Sequence, residues 1–100
     1  MIKLSVVIIA LNEEDKIENC LRSVSKVADE IVVVDSFSTD GTRGICEKYK
    51  SRFIQQKFLG YIEQKNFALD LASHDYILSL DADEMLSDEL IASIKKVKLD

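Results

Sequence analysis

The stretch LSVVIIAL, Leu4 to Leu11, carries one polar side chain and is otherwise Val, Ile, Leu and Ala. A surface helix would bring polar residues back every third or fourth position, and a half-buried strand would alternate. This segment does neither. A short, continuous, β-branched run suits a strand buried on both faces, as in a parallel sheet covered by helices. Three later runs read alike: Glu30 to Val34, in which Ile31-Val32-Val33-Val34 is β-branched throughout, Phe53 to Gln56, and Tyr76 to Leu80. They begin near residues 4, 31, 53 and 76, which leaves room between them for the dozen or more residues a parallel crossover needs.

The intervening segments have helical period. Ile17, Cys20, Leu21 and Val24 make one apolar face. Asn12 is expected as its N-cap, with Glu13, Glu14 and Asp15 favouring the positive end of the helix dipole. Thr39-Asp40-Gly41 is expected to open a second helix carrying Ile45, Cys46 and Tyr49. Tyr61, Ile62, Ala68, Leu69 and Ala72 outline a third, and Ser87 caps a fourth with Leu90, Ile91, Ile94 and Val97 on one face. The pattern is β-α-β-α-β-α-β-α, an α/β fold with an open parallel sheet flanked by helices. Residues 1–100 form one unit without linker or repeat.

Composition sets the outer bounds. In 100 residues, 47% are hydrophobic and 31% charged, with three Gly and no Pro, which excludes disordered and collagen-like chains. The longest apolar run, Val6 to Leu11, is far below the roughly 20 residues that span a bilayer, and no signal-peptide pattern opens the chain. A net charge of −5 argues against a nucleic-acid partner. Cys20 and Cys46 lie in apolar helical stretches without CxxC spacing and read as buried, reduced thiols of a cytoplasmic protein. Asp100 ends the chain directly after an amphipathic pattern, and the expectation is a truncated piece of a longer protein.

In open α/β sheets, ligands bind beyond the carboxyl ends of the strands. The first strand is followed there by Asn12, Glu13 and Glu14, the second by Asp35 through Thr42, and the fourth by Asp81, Ala82, Asp83 and Glu84. Loop polarity and helix capping account for Asn12, Thr39 and Asp40 taken singly. Asp81 and Asp83 are delivered directly from an apolar strand, and an extended chain would point both the same way. Two close carboxylates repel unless a cation joins them; Mg²⁺ or Mn²⁺, completed by water and substrate phosphate, fits that role. Lys65 falls inside the apolar stripe of the third helix, where its ammonium either snorkels to the edge or reaches the acidic rim or a bound phosphate. Phe37 either stacks on a ligand or packs back on the sheet, and His74 reads as a surface residue.

Taken together, SVVIIALNEEDKIENCLRSV, EIVVVDSFSTDGT, GYIEQKNFAL and YILSLDADE resemble the family 2 glycosyltransferases. The likeness is strongest to the subgroup that adds glucose to the core of lipopolysaccharide or lipooligosaccharide, and it covers essentially the whole chain. It implies a GT-A fold whose Rossmann-like nucleotide-binding half lies here. Asp35 matches the acidic residue that helps hold the nucleotide base, Ala10-Leu11-Asn12-Glu13 the loop against the nucleoside, and Lys65 with Asn66 a basic-Asn pair near the nucleotide. Asp81 and Asp83 match the DxD motif, whose second acid typically binds the metal, Mg²⁺ or Mn²⁺. One position departs: Ser36 stands where most of the family has a second acidic residue.

The resemblance implies inverting transfer of a sugar, glucose in the subgroup, from a UDP-sugar to a glycan or lipid-linked saccharide acceptor. The full-length protein would work in the cytoplasm or on the inner face of the cytoplasmic membrane. In the family the catalytic base is an Asp or Glu well downstream of DxD, and no matching segment is present here. Exposed sheet edges would favour homo-oligomers. The rival reading is a non-catalytic flavodoxin-like or receiver-like regulatory module. A receiver would need a phosphorylatable Asp after its third strand, where this chain has Gln55-Gln56-Lys57.

Overall fold

The computed structural model describes residues 2–99. Its elements are β1 (Leu4–Ala10), α1 (Ile17–Val24), β2 (Glu30–Asp35), α2 (Thr42–Lys48), β3 (Arg52–Gln55), α3 (Tyr61–Leu71), β4 (Tyr76–Asp81) and α4 (Asp88–Leu99). The four strands form one sheet in the order β3-β2-β1-β4, and every pairing is parallel. The α/β alternation expected from the sequence is the one observed.

Every residue of β1 is buried, because it has a strand on each side and a layer of helix on each face. Val6, Ile8 and Ala10 face a core shared with Ile17, Cys20, Leu21 and Val24 of α1, Cys46 of α2 and Ile91 of α4. Val7 and Ile9 face the other way, with Val32 and Val34, onto Ala68, Phe67 and Leu71 of α3. The chain runs outward through β1, β2 and β3, then returns across the sheet to lay β4 beside β1. A right-handed crossover that reverses direction must pass over the opposite face, which is why α3 lies apart from α1 and α2. The reversal leaves a switch point between β1 and β4.

Two helical expectations are corrected. Asn12 does not cap α1, which starts only at Ile17; its backbone is left-handed (φ 50°), a conformation Asn tolerates, and its side chain bonds the neighbouring loop. The third apolar stripe was misplaced by part of a turn. Gln64 and Ala68 are the buried residues of α3, whereas Tyr61 and Ile62 are 66% and 73% exposed. Ser87 does cap α4, accepting the Leu90 N–H at 3.1 Å. Cys20 and Cys46 are buried and free, and burial, reinforced at Cys20 by Glu84 and Asp83, pushes both thiols up to about 12.

At the opposite sheet end, Glu30 ties three segments together. It accepts from the Ser5 hydroxyl, from the Ser73 N–H and hydroxyl, and from Arg52. Burial opposes its ionisation, but these donors outweigh it and hold its pKa at about 2. A depressed carboxylate stabilises the fold above its unfolded value and loses that contribution as pH falls through the folded one. Glu30→Gln is therefore expected to cost roughly 2–3 kcal/mol at pH 7, a deficit that shrinks between pH 4.5 and 2. Urea unfolding of both proteins across that range measures it; a deficit independent of pH would contradict the assignment.

Candidate nucleotide-binding site

The loops after β1, β2 and β4 meet at one end of the sheet. Parallel register sets Ala10 beside Asp35 and Ile9 beside Asp81, so acidic residues flank the end of β1 on both sides. Between them opens a cleft of about 350 Å³, lined by Ile9, Ala10, Leu11, Glu13, Ser36, Phe58, Tyr61, Gln64, Asp81, Ala82 and Asp83. It lies at the switch point, where an open α/β sheet presents its ligand crevice.

The β1–α1 and β2–α2 loops are bonded into one rim. The Asn12 N–H donates to Ser38 Oγ at 2.7 Å, and Asn12 Oδ1 accepts the Thr39 N–H at 2.8 Å. The Glu13 N–H meets Thr42 Oγ1 at 3.0 Å, and the Glu14 N–H meets Asp40 Oδ2 at 3.2 Å. In return, Glu14 Oε2 accepts the Gly41 N–H at 2.8 Å. A Cβ at Gly41 would stand 2.8 Å from that same oxygen, so glycine permits the approach. Thr42 also bonds Asp40, whose carboxyl is held below its ordinary value chiefly by the Thr42 hydroxyl.

Asp35 is fully buried. Its oxygens accept the Ser38 N–H at 2.8 Å and hydroxyl at 2.5 Å, and Gln55 Nε2 approaches at 3.5 Å. The carboxylate thus holds the loop from beneath and is absent from the cleft lining, whereas Ser36 lines it. Phe37 is left-handed (φ 61°) and 56% exposed, so it does not pack back on the sheet. Asp35→Ala would orphan buried donors and is expected to cost about 2–3 kcal/mol while weakening nucleotide binding with or without metal. Urea unfolding, with hydrogen exchange at the Asn12 and Ser38 amides, checks this. Unchanged exchange there would show that the loop does not depend on Asp35.

Asp81 and Asp83 both line the cleft, but not by strand alternation. The chain turns at Asp81, where the Glu84 N–H donates to the Asp81 carbonyl at 3.0 Å and Glu84 Oε1 accepts the Asp81 N–H at 2.8 Å. The extended arrangement expected from the sequence is therefore replaced by a turn that leaves Asp83 exposed. Asp81 Oδ1 is buried without a hydrogen-bond partner, and Lys65 Nζ stands 3.8 Å from it. Of the two destinations open to Lys65, the acidic rim is the one it reaches. Asn66 is exposed and outside the lining.

Among the described residues no group of three or more His, Cys, Asp or Glu is gathered to hold a metal ion by itself. A hard divalent cation that keeps water and substrate phosphate in its shell needs only one or two carboxylates. The orphaned Asp81 oxygen beside Asp83 fits such an ion. Sequence reading missed Phe58, Tyr61 and Gln64 as lining residues. A Gln four positions before the buried Ala68 was the available signal for the last.

A parallel sheet with a carboxylate-bearing crevice at its switch point defines an open α/β unit with its ligand-binding edge on the side of Asp81 and Asp83. The glycosyl transferase family 2 model matches residues 5–97, and the chain belongs to that family. It is 42% identical over 92 residues to the lipopolysaccharide core biosynthesis glycosyltransferase LpsC of Rhizobium meliloti, a match covering 87% of this chain and 34% of that one. It superposes on S. aureus TarS 1-349 in complex with UDP-GlcNAc with a TM-score of 0.76 and 30% identity, covering 98% of this chain and 30% of TarS. Glucosyl-3-phosphoglycerate synthase from Mycobacterium tuberculosis, in complex with Mn²⁺, UDP and glucosyl-3-phosphoglycerate, gives a TM-score of 0.71 at 28% identity, covering 83% of this chain and 35% of the synthase. The chain spans about a third of the length of these relatives. No helix among the described residues is long and apolar enough to cross a membrane.

Proposed function

We propose that the cleft binds the nucleoside diphosphate of a sugar donor, and that the protein transfers the sugar to a glycan or lipid-linked saccharide acceptor with inversion. UDP-glucose as donor and a lipopolysaccharide core as acceptor are the specific choices. The observation that carries this reading is the mixed lining of the cleft. It combines two carboxylates, Asp81 and Asp83, the first with Lys65 3.8 Å away, with the polar Ser36 and Gln64 and the aromatic Phe58 and Tyr61. A nucleoside diphosphate has the matching groups, an anionic diphosphate and a flat base with polar edges. The likeness to TarS and to the M. tuberculosis synthase supports UDP, and the likeness to LpsC supports the acceptor class.

Asp83 and Asp81 would hold Mg²⁺ or Mn²⁺, which when bound supplies positive charge to the departing diphosphate. Lys65 adds a second positive charge next to Asp81. The bonded rim of Asn12, Glu13, Ser38 and Thr42 keeps the nucleoside wall in place, and Asp35 holds that rim from below. No residue in the described range is assigned as general base, since the Glu84 carboxylate is engaged by the Asp81 N–H.

Adding UDP-glucose and Mg²⁺ to isotope-labelled protein tests the reading. Amide shifts should move at Ala10 to Glu13, Ser36, Gln64 and Asp81 to Asp83. Shifts confined to the opposite sheet end, around Glu30 and His74, would refute it.

A further inference from the structure

Gln64 is polar, yet only 2% exposed, and it forms part of the cleft wall. Its Nε2 donates to Ser36 Oγ at 3.0 Å and to the Gln56 carbonyl at 3.5 Å. A carbonyl can only accept, so this pair of contacts fixes which way the amide faces. Both hydrogens of Nε2 are engaged on the protein, while Oε1 has no hydrogen-bond partner among the described residues. The Gln64 side chain lines the cleft, and an amide oxygen that no protein donor engages is free to accept an N–H from a ligand there. Asp35, the acid that the family resemblance sets against the base, is occupied by Ser38 and Gln55. The acceptor that α3 turns toward the cleft is therefore a neutral one.

We propose that Gln64 is a specificity-determining residue whose Oε1 accepts a hydrogen bond from the ring N–H of a nucleobase. Uracil and guanine carry that N–H between two ring carbons; cytosine and adenine present a lone pair at the corresponding position, which would face the Gln64 oxygen repulsively. Ser36 sets the discrimination by holding Nε2 away from the ligand. This gives the departure at position 36 a purpose, because a hydroxyl can accept from the amide while staying uncharged. The inference rests on the donor-binding reading above.

Calorimetric titration of UDP, GDP, CDP and ADP with Mn²⁺ tests it in the wild type, Gln64→Met and Ser36→Ala. The wild type should bind UDP or GDP at least about ten-fold more tightly than CDP or ADP, and the comparison of UDP with GDP tells which base is read. Gln64→Met should close that gap from both sides, weakening the favoured nucleotide and tightening CDP and ADP as the lone-pair repulsion is removed. If Gln64→Met does not fold, Ser36→Ala decides, since it keeps the buried amide but removes one of its two restraints and should narrow the gap. A wild type that binds all four alike, or a folded Gln64→Met that keeps the gap, overturns the role of Gln64 and leaves donor binding standing. An intact gap in Ser36→Ala, where Gln64→Met is unfolded, overturns it equally. Failure of every nucleotide to bind the wild type overturns both.

Discussion

Asp83→Ala is expected to remove most of the metal dependence of UDP binding, lowering affinity in Mn²⁺ by about ten-fold or more to the value seen with chelator. Asp83 is exposed in the turn after β4 and makes no hydrogen bond among the described residues, so its loss should leave the fold intact. That makes it a cleaner probe than Asp81, which ends a strand and stands 3.8 Å from Lys65. Removing Asp81 would also strand the lysine charge. Circular dichroism and urea unfolding of Asp83→Ala should match the wild type, while calorimetry with and without Mn²⁺ shows the lost increment. An Asp83→Ala protein that still binds more tightly with Mn²⁺ by the wild-type factor would move the metal site elsewhere.

The second large effect concerns turnover. Residues 1–100 are expected to bind donor without transferring sugar at a useful rate. Direct displacement needs a base to take the proton of the acceptor hydroxyl, a contribution of typically 10²–10⁴-fold, and it needs the acceptor positioned, which can matter more. Glu84 is bonded within its own turn, and Asp81 and Asp83 are the proposed cation ligands. The outer edge of β4 has no strand partner among the described residues. An assay with UDP-glucose and a lipopolysaccharide-core acceptor should show product only when a chain as long as the relatives is supplied. Turnover by residues 1–100 near that of the longer chain would place the base within them, with Glu84 and then Glu13 the first to replace.

Legibility in the sequence followed how directly each element obeys one rule. β1 was readable because a strand covered on both faces must be apolar throughout, and the face of α1 because Ile17, Cys20, Leu21 and Val24 all point into one core. Asp81 was readable because it ends the strand beside β1 at the switch point, where an open α/β sheet has its crevice. α3 was misread because its buried face contains Gln64, while apolar Tyr61 and Ile62 lie exposed at its start. The hydrophobic pattern weighs residues one by one and has no means of knowing that a polar group is satisfied by Ser36 and Gln56. Asn12 was misread for a related reason: its side chain bonds a loop 27 residues away, and long-range partners leave no local trace. The turn at Asp81 is likewise closed by Glu84, so the spacing of Asp81 and Asp83 did not carry the geometry that strand alternation suggested.

The central claim is that this sheet edge holds a nucleoside diphosphate through a cation on the Asp81–Asp83 turn. Titrating UDP into the protein by calorimetry, once with Mn²⁺ and once with chelator, tests it most directly. Saturable binding with Mn²⁺ is expected, weakening by about ten-fold or more when the ion is removed. UDP affinity that is the same under both conditions would contradict it.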